Sequence, residues 1–233
     1  MDYIVGHHEK FLVAHKPPNW DFHDCDGQTG FFNFIKQSTT DGTLWPVHRL
    51  DKVTSGLLLM ARSQAACTQL SELFATRQVV KIYLALAHGK PKKKQGVIVG
   101  DMVKSRRGAW RLTRETNNPA VTRFVSLSLA PSLRLYLLRP ETGQTHQLRV
   151  AMRSLGTPIL GDKLYGGEPA DRVYLHAYQL SFELDGSAYR WQCMPSYGDL
   201  FKLDTVTDQM GDAIEQLLTA SPLKSAPPKE MGE

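Results

Sequence analysis

The sequence predicts an α+β fold in which antiparallel hairpins supply most of the sheet and a few helices flank it. Three observations lead there. Stretches with strand-like apolar alternation come in neighbouring pairs joined by short turns, helical spacing is confined to a few segments between them, and 233 residues are enough to bury a sizeable core in one compact body.

Residues 3–15 read as a hairpin: Tyr3-Ile4-Val5, a turn over Gly6 to Glu9, then Phe11-Leu12-Val13-Ala14, stopped at Lys16 by Pro17 and Pro18 because proline cannot continue a ladder. Residues 30–37 form a short apolar helix, and the run Leu57 to Ala61 has the look of a buried strand. Ser63 is placed to cap a helix reaching Arg77, with Ala66, Leu70, Leu73 and Phe74 on one face. The next strand, 79–87, turns Val80, Ile82, Leu84 and Leu86 one way and sets Lys81 and Tyr83 side by side on the other. Strands at 120–129 and 133–138 pair about Ala130-Pro131-Ser132. After the turn Arg139 to Gly143, a helix over 144–155 ends with Gly156 at C′; it puts His146, Arg149 and Arg153 on one side and Leu148, Met152 and Leu155 in an apolar stripe. Asp185-Gly186 is a hairpin turn leading to the strand 189–193, and a last helix covers about 212–219. One domain over 1–220 is expected, and residues 221–233, rich in proline and charge, read as a disordered tail.

Composition narrows the chemistry. Cys25, Cys67 and Cys193 are scattered without a C-x-x-C pair, which argues against a zinc site or a disulfide framework, and the spacing of His7, His8, His15 and His23 fits no usual ligand pattern. No metal and no cofactor are expected. The N-terminus has no signal-peptide character and no apolar run is long enough to span a bilayer, so a cytoplasmic protein is expected. The net charge of +5 only permits a polyanionic partner, but its distribution says more. Between Lys90 and Arg114 nine cations face Asp101 alone, +8 in 25 residues, with Trp110 among the arginines. Basic residues interleaved with an aromatic suit RNA, whose phosphates take the charge and whose unstacked bases stack on rings. Lys104, Arg106, Arg107 and Arg111 are the candidates; Lys92 to Lys94 also suit a solvated loop that keeps a sheet edge from pairing.

The chemistry concentrates in His48-Arg49-Leu50-Asp51-Lys52-Val53-Thr54-Ser55-Gly56, directly before the apolar run. Polar groups projected from a rigid apolar element are how active-site loops sit on scaffolds. By residue type alone, Asp51 could cap a turn, pair with a cation, or act as nucleophile or general base.

These nine residues resemble the H-R-L-D-x-x-T-S-G signature of the RluA-type pseudouridine synthases, in which the aspartate is catalytic. Lys81-Ile82-Tyr83-Leu84-Ala85 resembles the family's K-x-Y-x-A, whose tyrosine packs on the target base. Thr142 to Arg149 resembles T-G-R-T-H-Q-I/L-R, whose last arginine pairs with the catalytic aspartate; Gln144 and Ala151 depart from the pattern where arginine or lysine and histidine are usual. Gly156 to Gly166 matches G-x-P-I-x-G-D-x-x-Y-G and is assigned to structure, Leu175-His176-Ala177 matches the late L-H-A strand, and Lys16-Pro17 begins like K-P-x-G but continues with Pro18 and Asn19.

The resemblance, from about Lys16 to Pro195, implies the pseudouridine synthase fold: a bent, mainly antiparallel mixed sheet with flanking helices and a central RNA-binding cleft. It implies isomerisation of a uridine flipped out of a ribosomal or transfer RNA stem-loop, by a monomer without cofactor. Asp51 is then the catalytic residue, attacking base or sugar or removing a sugar proton; Arg149 holds it, Tyr83 covers the base, Arg49 fills the space left by flipping, and His48 and Lys81 add RNA contacts. The alternative is an RNA-binding protein of the same fold without activity. A zinc-dependent base deaminase would need H-x-E and P-C-x-x-C ligands that the chain lacks.

Overall fold

A computed structural model of the protein describes residues 3–39, 42–208 and 210–219. The end of the expected domain at 220 and the tail after it lie outside these residues. The hairpin at the N-terminus is β1 (Ile4–His7) and β2 (Phe11–Lys16), followed by α1 (Phe31–Ser38), the short β3 (Trp45–Pro46) and β4 (Ser55–Ala61). Helix α2 (Gln64–Ala75) begins where expected, with the Ser63 hydroxyl accepting from the Ala66 amide at 3.1 Å. Strands β5 (Val80–His88) and β6 (Gln95–Gly100) precede β7 (Met102–Lys104) and β8 (Trp110–Leu112), which form a separate two-stranded sheet. Then come β9 (Ala120–Ala130), β10 (Leu133–Pro140), α3 (Gln147–Ser154), β11 (Leu175–Leu184), β12 (Ser187–Gln192), α4 (Asp204–Asp208) and α5 (Met210–Thr219).

The large sheet runs β1-β2-β4-β11-β5-β10-β9-β6, with β12 beside β11 and β3 beside β4. Its pairings are antiparallel except one, a short parallel joint of β4 and β11 where Ser55 faces His176 and Gly56 faces Ala177. The unbroken apolar run of β4 is explained by burial on both faces. Leu57, Leu59 and Ala61 pack with Phe11 and Val13 under α2, while Leu58 and Met60 pack with Leu12 and Ala14 under α1. A third cluster, led by β5 and β10, lies against α3 and α5.

The β4–β11 joint determines where the polar loop 48–54 emerges. Gly56 takes φ +116°, and a Cβ there would collide with the Ala177 carbonyl and lie 2.5 Å from its amide nitrogen, so only glycine lets the strands meet. Next to it the buried His176 accepts from the Ser55 hydroxyl at Nδ1 and donates from Nε2 to the Cys193 carbonyl, both at 2.7 Å. The Ser55 hydroxyl in turn accepts from Arg172 at 2.8 Å.

One boundary differs from the sequence expectation. The helix expected from Gln144 begins at Gln147, after His146 has taken the left-handed conformation (φ 58°, ψ 17°). The reason is non-local. The Gln147 amide oxygen accepts from the Thr142 hydroxyl and the Gln144 amide, and its NH2 donates to the Val121 carbonyl and the Thr122 hydroxyl, all within 2.7–3.0 Å, so residues 142–146 are tied to β9 as a loop. His146 therefore leaves the helix that carries Arg149 and Arg153. The other end is as expected: Gly156 (φ +75°) donates to the Arg153 carbonyl and Thr157 to that of Met152. The basic stretch, read as a loop, also carries regular structure: Lys104 to Trp110 is the tip of the β7–β8 hairpin, and Lys92 to Lys94 precede the edge strand β6.

Gly56→Ala is expected to lower stability by roughly 2–4 kcal/mol through strain and collision together. Gly108→Ala, also at positive φ (+74°) but with nothing within 4 Å, should cost only about 1 kcal/mol. Urea midpoints at unchanged m-value measure both; equal losses would mean that the close approach at the joint adds nothing.

Candidate active site

A cleft of about 590 Å³ opens where loop 48–54, β5, the turn after β10 and the start of α3 converge. Asp51, His48, Arg49, Lys81, Tyr83 and Arg149, far apart in sequence, all line it. Asp51 is in a turn closed by the Thr54 amide on its own carbonyl at 3.0 Å, and its carboxylate stays 28% exposed at the cleft floor. Leu50 beside it is buried, so the loop has one apolar foot in the core and one polar group in the cleft.

Two side chains hold this loop. His48 Nε2 accepts from the Leu59 amide at 3.0 Å and its ring stacks on Phe74 at 4.6 Å, so the imidazole serves as an anchor while its face borders the cleft. Burial, with Lys81 adding to it, pushes His48 down to about 3, and the ring is neutral at physiological pH. From below, the fully buried Lys16 donates to the carbonyls of Pro17, Trp20 and Lys52 at 2.9, 2.7 and 3.0 Å. Burial lowers it to about 7, and three carbonyls each taking one ammonium hydrogen are the counterweight. The Lys16-Pro17 pair, whose motif breaks off at Pro18 in the sequence, thus has a place beneath the Asp51 loop.

Arg149 is buried and its Nε and Nη2 donate to both oxygens of Asp162, at 2.7 and 2.8 Å. Its Nη1 remains 3.6 Å from Asp51 Oδ2. Burial works against its charge, but the hydrogen bond and charge of Asp162, and then Asp51, leave it raised. The glycine-rich segment assigned to structure therefore supplies the carboxylate that aims the arginine. Asp162 was not singled out as a site residue; its signal was the G-D pair inside the segment Gly156 to Gly166.

Tyr83 and Lys81 sit side by side on β5 as the period-two reading requires. Burial, followed by the Asp51 charge, raises the Tyr83 phenol, so it stays protonated; burial lowers Lys81 to about 8. Arg49 is exposed at the rim. Lys104, Arg106, Arg107 and Arg111 do not line the cleft: they are exposed on the β7–β8 hairpin, where Lys104 lies 5.9 Å from the Trp110 ring centroid. The hairpin reaches the site through Trp110, the first residue of β8 after the turn, whose amide donates to the Tyr165 hydroxyl at 3.0 Å. His146, another residue the sequence did not single out for the site, contacts that hydroxyl at 2.8 Å and has Nε2 3.9 Å from Asp51 Oδ2.

Donor atoms of His15, His176 and Cys193 lie within 4.8 Å of one another. Both nitrogens of His176 are engaged by protein and the Arg172 guanidinium is a neighbour, so the trio fits the strand joint better than a cation. Among the described residues no helix is long and apolar enough to cross a membrane.

Residues 10–154 match the sequence pattern of the family described as RNA pseudouridylate synthase. A protein of Haemophilus influenzae described as an uncharacterized RNA pseudouridine synthase is 46% identical over 209 residues, covering 89% of this chain and 93% of that one. The dual-specificity RNA pseudouridine synthase RluA of Pasteurella multocida is 39% identical over 188 residues, 77% of this chain and 85% of the relative. A solved structure of human RNA pseudouridylate synthase domain containing 1 is similar with a TM-score of 0.74 at 26% identity, across 95% of this chain and 96% of its own.

Two imidazoles, His48 at the cleft wall and the fully buried His176, make stability depend on pH. His48 and His176 are both held near 3, by burial first, against an ordinary 6.5. Between those values the unfolded chain takes up protons that the folded one refuses, so their contribution is complete above pH 6.5 and lost as pH falls. Each should remove about 1 kcal/mol per pH unit below that point. Urea midpoints between about pH 7 and pH 5 should fall accordingly, and His48→Gln should make the fall shallower; an equally steep fall in that variant would show that His48 does not contribute.

Proposed function

The chain belongs to the RNA pseudouridylate synthase family, and on that footing we propose that Asp51 is the residue that carries the reaction. The enzyme is an isomerase that converts a uridine of RNA to pseudouridine. The bond from N1 of uracil to C1′ of ribose breaks, the base turns, and C1′ is joined to C5; the C5 hydrogen leaves as a proton and N1 takes one up. Atoms and electrons balance without a redox partner.

The observation that carries the reading for Asp51 is its partly exposed carboxylate on the cleft floor, 3.6 Å from a guanidinium that Asp162 has already fixed. A nucleophile or base needs both access and a preset orientation. Arg149 provides the second without covering the carboxylate. Tyr83 offers a neutral flat ring over which uracil stacks, and Lys81 stands next to it on the same strand face. Arg49, exposed at the rim, is free to enter the space that the flipped base leaves; His48 contributes a wall. A cleft of about 590 Å³ suits one extruded nucleotide.

The substrate we infer is a uridine in a stem-loop of ribosomal or transfer RNA, gripped by Lys104, Arg106, Arg107 and Arg111 beside the cleft, with the enzyme acting as a monomer in the cytoplasm. An inactive RNA binder would have no use for Asp51, Tyr83 and Arg149 in one cleft.

Tritium release from RNA labelled at C5 of uracil, on separate ribosomal and transfer RNA pools, tests both chemistry and target. Asp51→Asn should abolish release while keeping RNA affinity within about three-fold, since one carboxylate adds little to binding a polyanion. Normal release by that variant would remove Asp51 from the mechanism. Replacing Arg106, Arg107 and Arg111 by Gln should weaken RNA binding and flatten its log–log salt slope by up to about 2; an unchanged slope would mean that RNA does not touch the hairpin.

A further inference from the structure

His146 lies in the T-G-R-T-H-Q-I/L-R match and lines the cleft, yet the proposed mechanism gives it no role, and its surroundings are unusually constrained. Its left-handed backbone (φ 58°, ψ 17°) is a conformation that non-glycine residues adopt at a cost and that clusters at functional sites. Here the Gln147 side chain enforces it by fixing the turn from Thr142 to Gln144, and the result turns the imidazole out of α3 and into the cleft.

The hydrogen bonds around it favour one tautomer. The Tyr165 hydroxyl accepts from the Trp110 amide at 3.0 Å, and its own hydrogen is available to His146 Nδ1 at 2.8 Å. With Nδ1 accepting, the imidazole hydrogen is on Nε2. Tyr165 cannot swing away, because its ring is buried, lies edge-on to His146 at 5.7 Å and carries the Arg149 guanidinium 4.9 Å from its centroid. The charged and titratable groups facing His146 are Asp51, Arg149, Asp162, Arg49 and Tyr165, and burial keeps the imidazole below its ordinary pKa and neutral. A donor is thus aimed at Asp51 Oδ2 from 3.9 Å, beyond hydrogen-bond length by about one ångström.

We propose that His146 is a positioning residue whose Nε2–H, fixed by Tyr165, closes onto Asp51 Oδ2 when the flipped uridine fills the cleft, leaving Oδ1 to face the substrate. The inference rests on the reading of Asp51 as the catalytic carboxylate. Hydrogen bonds of this kind are commonly long in an empty site and tighten in the complex. Because the same tyrosine hydroxyl holds Trp110, beside the turn of the RNA-gripping hairpin, the donor and the grip share one joint.

The test compares kcat and KM for tritium release by wild type, His146→Leu, His146→Gln and Tyr165→Phe, with the histidine tautomer read from two-bond ¹H–¹⁵N correlation. Leu should lower kcat about 100-fold with KM within about 3-fold, as expected when a reacting group loses its aim. Gln, whose amide N–H reaches the place of Nε2, should stay within about 10-fold of wild type, and Tyr165→Phe should lower kcat about 10-fold. Wild type should show the Nε2–H form and Tyr165→Phe a mixture. Leu as fast as wild type, Gln as slow as Leu, or an Nδ1–H form in wild type would each overturn the proposal. A wild type that releases no tritium from any RNA would instead overturn the function itself.

Discussion

The site depends on a buried guanidinium that is shared between two carboxylates. Arg149 is removed from water, so its charge must be compensated in place. Asp162, itself buried, takes two of its donors in a planar fork and thereby fixes the plane of the group. The remaining Nη1 then points where Asp51 stands. Were Asp51 the only partner, the arginine could follow the carboxylate; with two donors engaged by Asp162, the guanidinium faces Asp51 in a preset orientation. The bends of the segment Gly156 to Gly166 follow from this, because they bring Asp162 under α3 and Tyr165 against the guanidinium face.

The scaffold on the opposite wall solves a different problem, that of carrying a polar loop on an apolar strand. The parallel joint of β4 and β11 lets the chain leave the sheet immediately before Ser55, and Gly56 is the residue on which that close approach depends. The loop is then secured by two histidines and a lysine that are all drawn away from solvent. His176 ties Ser55 to Cys193, His48 ties the loop start to β4, and Lys16 gathers carbonyls from Pro17, Trp20 and Lys52. Each is a titratable group used for its hydrogen-bond geometry, which explains why burial shifts all three toward neutrality while Asp51 keeps its opening to the cleft.

Much of this was legible in the chain. Alternation located the hairpins at 3–15, 120–138 and about Asp185-Gly186 but not β6 or the β7–β8 hairpin, Ser63 marks the start of α2, Gly156 the end of α3, and period two alone assigns Lys81 and Tyr83 to one strand face. Most of what escapes a local reading depends on distant partners. The start of α3 is decided by Gln147 reaching Val121 and Thr122 on β9, and no local pattern around residue 144 contains that information. Asp162 looked like a turn residue because its partner lies thirteen positions away. Lys16 carries little sequence signal because Pro18 and Asn19 break the usual motif after it, although its role needs only a lysine beneath the loop. His146 was read as a helical neighbour of Arg149, and the left-handed turn that separates them became visible only with the fold.

The cations of the molecule fall into two populations with different physics. Those of the β7–β8 hairpin are exposed, so their attraction for phosphate is screened by salt and carries no geometric demand. Arg149 and Lys16 are buried, where screening is weak and each hydrogen bond has a direction. The first population suits the loose attraction of a polyanion, the second the directed contacts of Arg149 with two carboxylates and of Lys16 with three carbonyls. Trp110 and Tyr165 are where they meet: one bond of 3.0 Å joins the hairpin to a phenol that packs on the buried arginine. The exposed hairpin and the buried arginine are thus joined through one phenol, and salt that screens the hairpin charges leaves the geometry of the buried group intact.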